Sequence, residues 1–194
     1  MREATVIRQT LETEVKITLN LDGTGKKNIS TPFKFFNHML EQIAVHGYFD
    51  LDIELKSLDG DSHHGIEDTA IALGDAFKKA LGDKKGINRY GNFFIPMDEA
   101  LVLTSLDFSG RAFSNTDLNI KDEKVSDFET ILIKHFFSSF ASAAAATLHI
   151  KAFYGEDTHH IIEAAFKSFA RALAQACEIN QKYKDIMPSS KGIL

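Results

Sequence analysis

The sequence predicts an α+β fold made of two copies of one β-β-α-β-α unit, each a mostly antiparallel sheet with helices packed on one face. Three observations carry that reading. DSHHGIEDTAIALGDAF at 61–77 has a second copy, HHIIEAAFKSFARAL, whose histidine pair lies 96 residues after the first. LNLDGTG at 19–25 matches TSLDFSG at 104–110, with Leu-Asp and the closing Gly in register. Strand-like and helix-like hydrophobic periods follow one another in the same order before and after the middle of the chain. The halves are read as 1–93 and 94–194, the second carrying a C-terminal loop, and together they form one structural unit.

Taken in order, alternation marks strands at about 3–9 and at EVKITLNLDG, 14–23, which ends in turn residues. PFKFFNHMLEQIAVHG (32–47) sets Phe36, Met39, Leu40 and Ile43 at helical spacing and stops at Gly47. FDLDIEL (49–55) alternates as a strand, and the polar loop KSLDGDS leads into a helix over about 63–81. In the second half DEALVLTSLDFSG (98–110) and AFSNTDLNI (112–120) read as strands. DFETILIKHFFSSFASAAAA (127–146) reads as a helix, TLHIKAF (147–153) as a strand and 159–178 as a helix.

Composition narrows the function classes. With 194 residues, 44% hydrophobic and 25% charged, and three prolines, the chain is expected to fold throughout apart from its ends. A net charge of -5 lacks the basic face that nucleic acid or an anionic membrane requires, so a small-molecule partner is expected. MREATVIRQTLETEV has no apolar signal-peptide core, and no stretch approaches 18 uninterrupted apolar residues, so a cytoplasmic location is expected. The one cysteine, Cys177, sits among Ala and Leu and reads as a buried small hydrophobe. Neither a GxxxxGK[ST] phosphate loop nor an HExxH zinc-protease motif is present.

The chemistry lies in the repeated HHxxE. On a helix, residues three and four apart share a face while neighbours diverge by about 100°. Glu67 can therefore work with His64 or His63, but adjacent histidines do not readily chelate one ion together and suit two. Eight histidines in 194 residues give roughly a third of one adjacent pair by chance, so two pairs with Glu at one offset exceed accident. His38 and His135, 97 residues apart, match between the halves as well. A lone histidine at a helix start is ordinarily a cap or surface residue, and His46 reads that way on its own. Six histidines and two glutamates divide symmetrically into one set of His38, His64, Glu67 and His159 and another of His135, His160, Glu163 and His63. Nitrogen and oxygen donors without cysteine suit Mn, Fe, Zn, Co or Ni, with open octahedral positions leaning to Mn or Fe. Arg89 in GINRYG and Arg111 in LDFSGRAF, each at a glycine-punctuated turn, suit the oxygens of a phosphate. Ser189, Ser190 and Lys191 in the tail MPSSKGIL read equally as a frayed end or a binding loop. A metal-storing cage could use the same histidines, but it would have no use for arginines aimed at an anion.

Taken together, RQTLETEV, FFNHMLEQIAVHGYFDL, DSHHGIEDTAIALGDAF, GINRYGNFFIPMDEAL, LDFSGRAF, HFFSSFA, TLHI, YGEDTHHIIEAAFKSFARAL and PSSKGIL resemble the imidazoleglycerol-phosphate dehydratase family in order along the whole chain. The resemblance implies two superimposable halves, assembled through trimers into a hollow 24-subunit particle with active sites between subunits. It implies dehydration of D-erythro-imidazoleglycerol phosphate to imidazoleacetol phosphate, in histidine biosynthesis, through an imidazolate and diazafulvene at a site of two manganese ions. The ligands it implies are His38, His63, His64, Glu67, His135, His159, His160 and Glu163. Phosphate contacts map onto Arg89, Arg111, Ser189 and Lys191, and further onto His46, Ser190 and Lys167. Glu12, an exposed strand charge when read alone, falls on a substrate-facing glutamate and is the candidate acid/base, with Glu67 or Glu163 able to shift into that role. The chain departs from the usual pattern at Asn37, Ser62, Gly65 and Ala112 and in a shorter loop before His63, departures that bear on metal preference and rate rather than on ligands.

Overall fold

Alternation in the first half sends Val15, Ile17 and Leu19 inward, each at most 1% exposed, and turns Lys16 and Thr18 between them to the other face. The structure, a computed structural model, describes residues 2–194. Strands β1 (Glu3–Gln9), β2 (Thr13–Asn20), β3 (Lys27–Ser30) and β4 (Asp50–Ser57) form one sheet in the order β1-β2-β4-β3. Helix α1 (Lys34–Gly47) crosses from β3 to its parallel neighbour β4, and α2 (Ser62–Leu81) follows. The second half repeats the plan with β5 (Tyr90–Met97), β6 (Ala100–Asp107), β7 (Phe113–Asp117) and, past a small hairpin of β8 (Lys124–Val125) and β9 (Phe128–Glu129), α3 (Leu132–Ala144), β10 (Thr147–Tyr154) and α4 (Thr158–Cys177). Its sheet order, β5-β6-β10-β7, is that of the first, with only β7 and β10 parallel. No helix among the described residues is long and apolar enough to cross a membrane.

The α+β duplication stands, but each four-stranded sheet draws three strands, rather than two, from before the first helix of its half. KNIS is too short to show alternation. YGNFFIPM carries the Gly and Pro of a loop yet forms β5, an edge strand where proline is tolerated. Gly91 is required there, since a Cβ would lie 1.9 Å from the Ala172 carbonyl oxygen of α4. The second sheet thus begins before residue 94, inside the segment assigned to the first half. Helix α3 starts at Leu132, later than expected, because Phe128 and Glu129 pair with Val125 and Lys124.

The repeat is also registered differently. Asn20 lies opposite Asp50 and Asp107 opposite Thr147, the first residues of equivalent strands. Asn20 and Asp107 are therefore equivalents, and the Leu-Asp match at 19–25 and 104–110 is two residues out of step. A slip of two preserves which face each side chain takes, so hydrophobic pattern cannot detect it. In the corrected register Glu12, just before β2, is the equivalent of Glu99, just before β6.

Helices of the two halves pack across the molecule, α1 on α4 and α2 on α3. Phe137 meets Phe166 and Phe169 at 5.1 and 5.2 Å, and Phe140 meets Phe169 edge-on at 4.9 Å. Gly74 lets α2 close on α3, where a Cβ would meet the Phe140 carbonyl oxygen at 2.6 Å. Cys177 is buried and free as expected, its thiol pushed up to about 12 by burial. Asn37 closes the turn before α1, accepting from Thr31 N at 3.0 Å and donating to Thr31 O at 3.1 Å, the second of which an Asp could not do.

Candidate metal centre

Each histidine pair opens a helix in the same way. Asp61 Oδ1 accepts from His63 N at 2.8 Å and caps α2; Asp157 Oδ1 accepts from His159 N at 2.7 Å and caps α4. The cap fixes the first turn, so the glutamate four residues on faces the first histidine of each pair. Because α1 lies on α4, His38 meets His159 and Glu163: its Nε2 is 3.0 Å from Glu163 Oε2, and His159 Nε2 is 3.1 Å from the same oxygen. One donor atom from each of the three lies within 4.8 Å of the others. Because α2 lies on α3, His135 meets His63, ring centroids 4.6 Å apart, with Glu67 Oε2 4.0 Å from His63 Nε2.

Within one copy the chain brings together only part of each set of the symmetric division. His38 does join His159, and His135 does join His63, but the carboxylates are exchanged: Glu163 serves the first set and Glu67 the second. Helix packing across the halves explains the exchange, since a first histidine and its glutamate four residues on travel together. His64 and His160 join neither set. His64 Nδ1 stands 2.7 Å from Asp59 Oδ2 and 3.7 Å from Glu12 Oε2, and His160 Nδ1 stands 2.8 Å from Glu99 Oε2. Glu12 occupies the turn between β1 and β2, half exposed, rather than a strand.

The two sets differ electrostatically. Glu163 is buried and ion-paired to Lys167 Nζ at 2.7 Å. Burial pushes its carboxyl up, but Lys167 and His38 outweigh that and hold it at about 2. Glu67 is more open and accepts from Ser139 Oγ at 3.3 Å. His46, at the end of α1, is lowered from the ordinary imidazole value by burial and by the nearby Lys167 cation. Arg171, one turn past Lys167, lies over the Phe93 ring at 5.2 Å and donates to the His46 carbonyl oxygen at 3.5 Å.

The expected phosphate contacts form two groups. Arg89 is engaged within the chain: it grips Asp107 with two N–H···O contacts at 2.7 and 3.1 Å and donates to Pro188 O at 2.9 Å, tethering the C-terminal segment. Among the described residues the Arg111 guanidinium has no carboxylate partner and donates only to Ser109 O, at 3.4 Å, while the Arg111 carbonyl accepts from Thr147 Oγ1 at 3.3 Å. Ser189, Ser190 and Lys191 follow Pro188 at this same end. His46 and Lys167 stand instead by the His38 set. Strand β6 measures the separation: Glu99 just before it touches His160 and Asp107 at its end touches Arg89, and the eight residues of the strand alone span about 23 Å. Sequence reasoning passed over Asp59, Glu99, Asp107 and Arg171. Asp59 and Glu99 lie in turns, where acidic residues are commonplace, and only the fold brings them to the histidines.

Duplicated halves that pool their helices to build matched histidine–carboxylate clusters define an α+β protein with a candidate two-cation centre. The imidazoleglycerol-phosphate dehydratase family model matches residues 31–173. Proteins named imidazoleglycerol-phosphate dehydratase from Acetivibrio thermocellus and Clostridium kluyveri are each 51% identical to this chain, cover all of it, and are themselves covered to 99% and 100%. The solved dehydratase structures from Staphylococcus aureus and Pyrococcus furiosus, each 36% identical, align with TM-scores of 0.83 and 0.85. They cover 92% and 97% of this chain, and 99% and 100% of their own. The chain belongs to the imidazoleglycerol-phosphate dehydratase family, enzymes of the hydro-lyase class in histidine biosynthesis.

Proposed function

We propose that this chain dehydrates D-erythro-imidazoleglycerol phosphate to imidazoleacetol phosphate and water, in the cytoplasm, at a centre of two manganese ions shared between copies of the chain. The observation that carries the reading is the matched pair of clusters, His38 with His159 and Glu163 and His135 with His63 and Glu67, each a partial donor set. Their donors are nitrogen and oxygen without sulfur, which fits manganese. His64 and His160, turned away from both clusters, would complete the centres of neighbouring copies. When bound, the metals supply Lewis acidity to the two imidazole nitrogens of the substrate and favour loss of the ring proton.

The chain's own residues do the rest. Arg111, Ser189, Ser190 and Lys191 hold the phosphate from one copy, with Arg89 fixing their loop through Pro188. His46 and Lys167 approach it from another. The hydroxyl on the carbon attached to the ring departs as water with a proton, and the neighbouring carbon gives up its hydrogen to a carboxylate. Glu12 is that carboxylate, with Glu67 or Glu163 as the alternative if a ligand shifts. The enol so formed becomes the ketone. The 23 Å along β6 is far more than an imidazole joined to a three-carbon phosphate ester can span, which supports a homo-oligomer with active sites between subunits; the 24-subunit particle built from trimers is the assembly that the family resemblance implies.

The test is an assay of metal-free and manganese-loaded protein with imidazoleglycerol phosphate, following the enolised ketone by ultraviolet absorbance. Metal-dependent product is expected, and Glu12→Gln should abolish turnover while manganese content stays that of wild type. Absence of product from the loaded protein overturns the reaction; unchanged turnover in the variant removes Glu12 from it.

A further inference from the structure

The second histidine of each pair is met by a carboxylate to which the reaction assigns nothing. Asp59 Oδ2 faces His64 Nδ1 at 2.7 Å, and Glu99 Oε2 faces His160 Nδ1 at 2.8 Å. A carboxylate can only accept there, so the ring proton sits on Nδ1 and Nε2 is the atom left to meet a cation, with Asp98 Oδ2 3.7 Å from it in His160. Each carboxylate is itself fixed by backbone through its other oxygen. Asp59 Oδ1 accepts from Asp61 N at 2.9 Å, and Glu99 Oε1 accepts from Asp157 N at 2.8 Å and Glu156 N at 3.1 Å. Both braces are thus tied to the caps that begin α2 and α4.

The two halves reach this arrangement by different residues. Glu12 and Glu99 are equivalents in the strand register, yet only Glu99 bonds its histidine, Glu12 standing back at 3.7 Å. Asp59 has taken the position against His64, whereas Gly155 stands 96 residues later, where the second half would need the same aspartate.

We propose that Asp59 and Glu99 are positioning residues that hold His64 and His160 in the tautomer and direction of metal ligands, and that Asp59, by doing so, leaves the carboxylate of Glu12 free for the substrate. The proposal rests on the two-metal reading above.

Manganese affinity of the full-length assembled protein, measured by calorimetric titration, provides the test. In Asp59→Asn and Glu99→Gln the amide oxygen remains held by the same backbone N–H groups. The amide nitrogen then faces the histidine, donates to Nδ1 and drives the ring proton onto Nε2. Loss of such a partner weakens metal binding by about 10–100-fold, and these variants should fall at the severe end. Asp59→Ala and Glu99→Ala, which leave the ring free to choose its tautomer, should lose less, although they remove more of the side chain. Glu12→Gln should keep wild-type affinity. Affinities within about twofold of wild type for Asp59→Asn and Glu99→Gln overturn the proposal, as does a larger loss in the alanine variants, the order a purely structural role gives. A wild-type protein that binds no manganese overturns the metal centre itself, and the braces with it.

Discussion

Glu163 and Glu67 hold equivalent places in the repeat but bear different burdens. Glu163 is 8% exposed and bonds His38, His159 and Lys167, while Glu67 is 41% exposed with a serine beside it. Replacing Glu163 by Gln strands the Lys167 cation without its partner, at a cost of about 1–3 kcal/mol to the metal-free fold, whereas Glu67→Gln is expected to stay within about 0.5 kcal/mol. The pH dependence follows from sign. Glu163 is held at about 2, below its ordinary 4.5, so its contribution is present in full above that ordinary value and lost as pH falls through 2. The stability gap between wild type and Glu163→Gln, measured by denaturant titration with a chelator present, should therefore narrow as pH falls below about 4.5. A gap that widened on acidification would show that Glu163 is not held ionised by these neighbours. Both histidine pairs and their glutamates were legible in the sequence because their spacing repeats. Their partners across the molecule were not, since which glutamate joins His38 depends on which helix lies beside α1.

At the scale of elements, α1 shows how the halves depend on one another. Its N-cap position is Phe33, which offers no side-chain acceptor. Asp127, from the second half, supplies the cap instead: its carboxylate accepts from Lys34 N at 2.7 Å and Phe35 N at 3.0 Å. Burial raises the Asp127 carboxyl, but the two N–H donors outweigh it and hold it below its ordinary value. Asp127→Ala should cost about 0.5–2 kcal/mol by loss of a helix cap, and should loosen His38, one turn inside the same helix. Thermal unfolding and manganese titration measure the two effects; a variant as stable as wild type would show that α1 needs no cap from the other half. DFETIL looks like the start of α3, which is why the sequence extends that helix back to residue 127. Phe128 and Glu129 are held in a hairpin and Asp127 serves another helix, a use of the segment that no local pattern records. β5 was hidden for a related reason: its Gly91 reads as a turn until α4 is seen pressing on it.

The whole molecule separates two kinds of machinery. The histidine clusters and Glu12 gather where α2 and α4 begin, while Arg111 and the C-terminal segment gather at the far end of β6. The repeated spacing marked the histidines and their glutamates, and the family resemblance pointed to Glu12 and the C-terminal residues, but neither gave their separation, because distance between motifs is a property of strand direction and sheet order. If one copy supplies the phosphate end of a site and another its metal end, two inactive variants can restore each other. Arg111→Ala retains an intact cluster, and Glu163→Gln retains an intact phosphate end. In co-expressed particles of equal composition, about a quarter of the sites would draw both intact halves, so about a quarter of wild-type activity should return. A site contained within one copy gives a different result, since every chain then carries one lesion and no mixture recovers activity. Dehydratase assays on co-purified particles, with the ratio of the two chains checked by mass spectrometry, distinguish these outcomes directly. Recovery near a quarter would place the substrate between copies, and a flat baseline would require the C-terminal segment and the clusters of one chain to come together by a rearrangement longer than β6 itself.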